Sequence, residues 1–87
     1  MTSVMTDALT GRVETFIFEN LVLGDRARMP APTESLIESG VIDSTGVLEL
    51  IEFLEDEFGI TVEDSETVPE NLDTIERVVA FVARKSS

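Results

Sequence analysis

Asp43-Ser44-Thr45-Gly46-Val47-Leu48-Glu49-Leu50-Ile51-Glu52-Phe53-Leu54-Glu55-Asp56-Glu57-Phe58-Gly59 decides the fold, because it carries a helix complete with start, buried face and stop. Asp43 is of a type that caps helices by accepting a backbone N–H of the first turn. Val47, Leu50, Ile51, Leu54 and Phe58 then recur at i, i+3, i+4, i+7 and i+11, one apolar face of an α-helix. Gly59 supplies the stop, since glycine enters the left-handed conformation without a Cβ penalty. At about 100° per residue, Thr45, Glu49, Glu52 and Asp56 fall on the opposite side, while Ser44, Leu48 and Glu55 line one flank. One helix thus combines a core face, an anionic face and a hydroxyl in its first turn.

Upstream, residues 24 to 43 read as a long connection. Pro30 and Pro32 exclude a regular helix there, yet Leu36, Ile37, Val41 and Ile42 are too apolar for a free linker and are expected to tack it to the core. Before it, Leu9, Val13, Phe16 and Ile17 keep helical spacing. Thr6 is the expected N-cap and Gly24 the residue just past the end; Gly11 weakens this helix by up to about 1 kcal/mol relative to Ala. Downstream, residues 59 to 72 form a second connection in which Ile60, Val62, Val68 and Leu72 can reach the core. Pro69 suits the first turn of a short helix. Asp73 and Glu76 resemble a capping box for a last helix whose core face is Ile75, Val78, Val79 and Val82. Arg84 and Lys85 complement its C-terminal dipole. The expected fold is all-α: a small three-to-four-helix bundle, one domain over residues 1–87, with a long loop between the first two helices.

Composition narrows the chemistry. The 87 residues contain no cysteine and no histidine, which removes disulfides, thiolate catalysis and the commonest general base and metal ligand. Buried apolar side chains contribute roughly 1.5–3 kcal/mol each, enough here to order the chain without a metal or disulfide. The formal charge is −12, from 18 acidic and 6 basic residues. Such a charge repels nucleic acid and anionic lipid and steers basic protein surfaces toward the chain. Between Arg28 and Arg77 there is no basic residue but there are fourteen acidic ones, so a nearly pure anionic face is expected. No apolar run approaches the roughly 20 residues of a membrane span, and the first fourteen residues lack the pattern of a signal peptide. A cytoplasmic monomer is expected.

Ser44 has no histidine to activate it, so a nucleophilic triad is excluded. A phosphodiester on Ser44 would nonetheless sit at a helix N-terminus, where free N–H groups and the dipole favour an anion. Gly46 removes a side chain beside it and leaves room for an incoming enzyme. Taken alone, Asp43-Ser44 is only a common helix cap. The longer stretch Glu38-Ser39-Gly40-Val41-Ile42-Asp43-Ser44-Thr45-Gly46-Val47-Leu48-Glu49-Leu50 resembles the modification site of the acyl and peptidyl carrier protein family, and the similarity continues through Leu54, Glu55, Asp56 and Phe58 to Ile75. The resemblance implies that Ser44 takes a 4′-phosphopantetheine arm from coenzyme A, with Asp43 and Gly46 as flanking motif. It further implies that Thr45, Leu48, Glu49, Glu52, Glu55 and Asp56 dock on a phosphopantetheinyl transferase and on an AMP-forming ligase, synthase or transferase with a basic patch. Carriers of fatty-acid synthesis usually follow the serine with leucine and an acidic residue, and often hold methionine where Glu52 stands. The Asp-Ser-Thr-Gly form is more like discrete carriers such as D-alanyl carrier proteins, which implies a dedicated pathway with its own ligase. Beginning at Met1 and ending just past the last helix, the chain reads as free-standing.

The remaining clusters carry less. Glu63-Asp64-Ser65-Glu66 lacks the frame of an EF-hand loop, and Glu55 and Glu57 have no pocket to separate their pKa values for catalysis. Phe16, Phe18, Phe53, Phe58 and Phe81 are expected to pack. The competing function is an acidic protein-interaction module, or nucleic-acid mimic, without a prosthetic group; an enzyme is not expected. Under every reading, crowded carboxylates raise the energy of the folded state, so added salt or Mg²⁺ raises the melting temperature. An unchanged midpoint between low salt and moderate Mg²⁺ would show that this repulsion is negligible.

Overall fold

The last helix forms against its own local preferences. Ile75, Val78, Val79 and Val82 are β-branched and lose side-chain freedom in a helix, but all four are buried, together with Phe81. Tertiary burial therefore decides this helix. A computed structural model describes the backbone of residues 4–86 and the side chains of residues 7–86. Among these residues there are four α-helices and no strand: α1 (Val4–Phe16), α2 (Ser44–Phe58), the single turn α3 (Pro69–Leu72) and α4 (Ile75–Ser86). α4 packs on α1 and α3 and also touches α2. The core gathers Leu9, Val13 and Ile17 from the first segment, Leu50 and Leu54 from α2, and the α4 face. Phe16, Val47, Ile51 and Phe58 form a half-buried rim around it. The all-α bundle expected from the periodicities is the one observed.

Thr6 has its side chain outside the described residues, and α1 already begins at Val4. Its other end does not stop at once. Residues Ile17–Leu21 widen into a π-turn, with the Val22 N–H reaching the Ile17 carbonyl at 3.0 Å. Leu23 (φ 53°) and Gly24 (φ 81°) then both adopt the left-handed region, which costs a non-glycine residue roughly 1–2 kcal/mol. The Gly24 N–H closes the end on the Phe18 carbonyl at 2.7 Å.

The connection between α1 and α2 is pinned, but not by all four expected side chains. Leu36, Val41 and Ile42 are buried; Ile37 is 51% exposed. Both neighbours are tied to Asp73 through their N–H groups, Leu36 to its carbonyl at 2.7 Å and Ile37 to its carboxylate at 3.2 Å; in that turn Leu36 points inward and Ile37 outward. Asp73 is consequently not the cap of α4. Thr74 is, its Oγ1 accepting the Arg77 N–H at 3.0 Å, while the Glu76 N–H donates to the Pro32 carbonyl at 3.0 Å. The Asp73–Glu76 capping box is thereby replaced by a link to the long loop.

Gly46 is buried rather than open to an approaching enzyme. A Cβ there would stand 2.9 Å from Ile42 Cγ1 and 3.3 Å from Asp43 Oδ1, so glycine lets the loop close onto the first turn of α2. The connection from α2 to α3 is tied differently. Gly59 ends α2 in the left-handed conformation (φ 66°), and Glu63–Glu66 curl into a 3-10 turn in which the Glu66 carboxylate accepts the Glu63 N–H at 2.9 Å. Lys85 of α4 donates to the same carboxylate at 2.9 Å, so this acidic cluster is a staple within the fold.

Two predictions follow from these contacts. Replacing glycine inside a helix gains up to about 1 kcal/mol of propensity, but overpacking a filled core costs roughly 1–3 kcal/mol. Because Ile42 is buried, Gly46→Ala lowers stability by about 1 kcal/mol net; a melting temperature at or above wild type would remove this account of the glycine. The Glu63 N–H first, and then Lys85, hold the Glu66 carboxyl below its ordinary value of 4.5. A depressed folded value adds stability above the unfolded pKa, and that stability is lost as pH falls through the folded one. Glu66→Gln is therefore less stable than wild type near neutral pH, and the gap closes below about pH 4.5. Melts at about pH 7 and about pH 3 check this; a constant gap would assign the effect to shape and not to charge.

Candidate functional site

The head of α2 is built by one side chain acting on its own helix. Asp43 is extended (φ −121°, ψ −170°) and its Oδ1 accepts the Gly46 N–H at 2.7 Å, while its carbonyl accepts the Val47 N–H at 2.9 Å. α2 therefore starts at Ser44, whose side chain is exposed. Its hydroxyl makes no hydrogen bond to the described residues, and neither does the N–H of Ser44 or of Thr45. An uncommitted hydroxyl beside two free backbone donors, at the positive end of a helix dipole, suits a phosphate ester on Ser44 Oγ.

Beside it opens a polar cleft lined by Asn20, Arg28, Asp43, Thr45, Gly46 and Glu49 among others. Arg28 is exposed and forms no ion pair with the described residues. In the sequence this arginine stands at the edge of a long acidic interval. The turn at Arg26–Arg28, capped by the Asp25 carboxylate on the Ala27 N–H at 3.0 Å, brings it to the cleft that Asp43 and Thr45 line at the head of α2. No local pattern announces that return, because it depends on the path of the loop.

The residues expected to dock do not all stand alike. Thr45, Glu49, Glu52 and Asp56 are exposed along one side of α2. Glu49, Glu52 and Asp56 border a groove against α1 floored by Phe16 and Phe53, whose rings stack at 4.3 Å between centroids. Leu48, 63% exposed, is the one large apolar side chain on the open part of α2. Glu55 differs: it is half-buried and its Oε2 accepts the Val62 N–H at 2.9 Å, so part of its capacity serves the following loop. The expected nearly pure anionic face is also interrupted. Arg12 of α1 pairs with Glu57, Lys85 with Glu66, and Arg28 shares a cleft with Asp43 and Glu49; these cations come from segments remote in sequence that the fold lays against the acidic interval. Among the described residues no group of three or more acidic, histidine or cysteine side chains is placed to hold a metal ion, and no helix is long and apolar enough to cross a membrane.

Comparison with known proteins bears on this arrangement. A family model described as a phosphopantetheine attachment site matches residues 21–82, which include the loop, the whole of α2 and most of α4. Two D-alanyl carrier proteins of Streptococcus suis, from strains 05ZYH33 and 98HAH33, are 39% and 38% identical to the chain over 66 residues, covering 76% of it and 81% of each relative. With the match spanning most of the chain, the protein belongs to the phosphopantetheine-attachment family and is a carrier whose cofactor is a covalently held 4′-phosphopantetheine.

Proposed function

We propose that Ser44 is the attachment point, and that the chain carries a small acyl or aminoacyl group for a dedicated pathway supplied by its own AMP-forming ligase. The observation that carries this reading is the exposed, uncommitted Ser44 hydroxyl at the first residue of α2, within the matched region. In the loading step, Ser44 Oγ displaces 3′,5′-ADP from coenzyme A at phosphorus, with its proton passing to the transferase, because this chain has no histidine to take it. The Asp43 cap fixes the hydroxyl at the helix start, and the free Ser44 and Thr45 N–H groups face an anion there. When bound, the arm supplies a thiol on which cargo is held as a thioester.

Two features favour an aminoacyl or other small cargo. Two similar chains are named D-alanyl carrier proteins, and Thr45 with Gly46 follows the serine in place of leucine and an acid. The chain itself performs no chemistry on the cargo; it presents it. Leu48, Glu49, Glu52 and Asp56 form the docking face for basic partners, with Thr45 at its upper edge and Glu55 as a secondary contact. Charge steering makes such docking fast and short-lived, as a carrier that visits several enzymes requires, and the tether keeps the thioester at high local concentration for each of them.

Co-expression with a broad-specificity phosphopantetheinyl transferase adds the mass of one phosphopantetheine to the wild type and none to Ser44→Ala, read by intact-protein mass spectrometry. A wild type left unmodified by several transferases, or a Ser44→Ala protein that still gains the mass, would reject the assignment. A charge-only interaction module predicts a Ser44→Ala protein that binds its partner unimpaired, which separates the two readings.

A further inference from the structure

One carboxylate outside the attachment motif holds the loop that leads into it. Asp73 lies between α3 and α4, and its cap position is filled by Thr74, which leaves its own side chain for other use. Both of its carboxylate oxygens accept the Ser35 hydroxyl at 2.9 Å, and Oδ1 also accepts the Ile37 N–H at 3.2 Å. Its main-chain carbonyl accepts the Leu36 N–H at 2.7 Å. Ser35 Oγ accepts the Glu38 N–H at 3.0 Å in return. Three consecutive loop residues are thus fastened to one residue of the opposite end of the chain.

The path from this clasp to Ser44 is short and continuous. The Ile42 N–H donates to the Leu36 carbonyl at 3.0 Å, so the position of Leu36 sets that of Ile42. Ile42 is buried and stands where a Cβ on Gly46 would be. The Gly46 N–H is in turn held by Asp43, the residue before Ser44. We propose that Asp73, through Ser35, is a positioning residue for arm attachment: it fixes residues 35–42 so that the cap and hydroxyl at the head of α2 meet an incoming transferase in one arrangement. The inference rests on Ser44 being the attachment point.

Releasing the clasp leaves the Ser44 hydroxyl untouched and lowers the fraction of molecules in the competent arrangement. An enzyme that binds only that fraction sees an apparent dissociation constant raised by its inverse, with turnover of the bound complex unaltered. Hydrogen bonds to a charged group are the stronger kind, so losing them lowers the competent fraction about tenfold.

The test is steady-state transfer from coenzyme A by a phosphopantetheinyl transferase, with the full-length carrier as varied substrate. Asp73→Ala and Ser35→Ala are each expected to raise the KM for the carrier about tenfold with kcat unchanged. Ser35→Thr keeps the hydroxyl and stays near wild type. Val82→Ala, a core truncation on α4 away from the clasp, lowers the melting temperature but keeps the wild-type KM. Amide exchange at Ile42 and Gly46, measured without any transferase, speeds up in the two clasp variants. Equal KM values in Asp73→Ala and Val82→Ala, a loss confined to kcat, or loss of the fold in both clasp variants would overturn the proposal. A wild type that is never modified at Ser44 defeats the attachment reading itself; a normally modified wild type with unaffected clasp variants defeats only the clasp.

Discussion

The hydrogen bond from the Gly46 N–H to the Asp43 carboxylate, 2.7 Å long, is the contact on which the working end of this molecule depends. It starts α2 at Ser44, and so leaves the Ser44 and Thr45 N–H groups outside the ladder of helical bonds. It also draws Gly46 in toward Ile42, where no side chain fits. Cap, glycine and loop are a single packing unit, and the exposed serine is what remains when that unit is complete. Capping alone is worth about 1 kcal/mol; its importance here lies in the geometry that it fixes.

Charge has two uses in this carrier. Glu49, Glu52 and Asp56 stay exposed along α2, where their mutual repulsion is tolerated because water screens it. Other carboxylates are spent within the fold. Glu66 is stapled to Lys85, Glu57 to Arg12, Glu55 to the Val62 N–H, and Asp73 to Ser35. The acidic excess therefore does not form one continuous field. The bound acids lie mostly where two segments meet, and the free ones follow the outer side of one helix.

Much of this was legible in the residues. The periodicities over residues 47–58 and 75–82, the stops at Gly24 and Gly59, and the short helix opened by Pro69 all match the structure, because each is a local rule acting within one or two turns. The resemblance of residues 38–50 points to the phosphopantetheine arm without reference to geometry. Local rules misled where a side chain had two possible partners. Asp73 fits a capping box by spacing, yet Thr74 fills that place and Asp73 turns to Ser35. Ile37 is as apolar as Leu36, yet in a turn where both N–H groups bond to Asp73 only Leu36 faces the core.

The sequence by itself determined an acidic all-α chain with its α2 cap at Asp43 and a hydroxyl at Ser44, since helix period, capping chemistry and composition are properties of the chain alone; the carrier reading came from the resemblance of residues 38–50. Only the tertiary structure decided that a Cβ at Gly46 would crowd Ile42, that Arg28 returns to a cleft at the head of α2, and that Asp73 is bonded to Ser35, Leu36 and Ile37. These depend on the path of a twenty-residue connection across the bundle. The bonds of Asp73 with Ser35 and Ile37, respectively 38 and 36 positions away, leave no period or spacing in the sequence to be read.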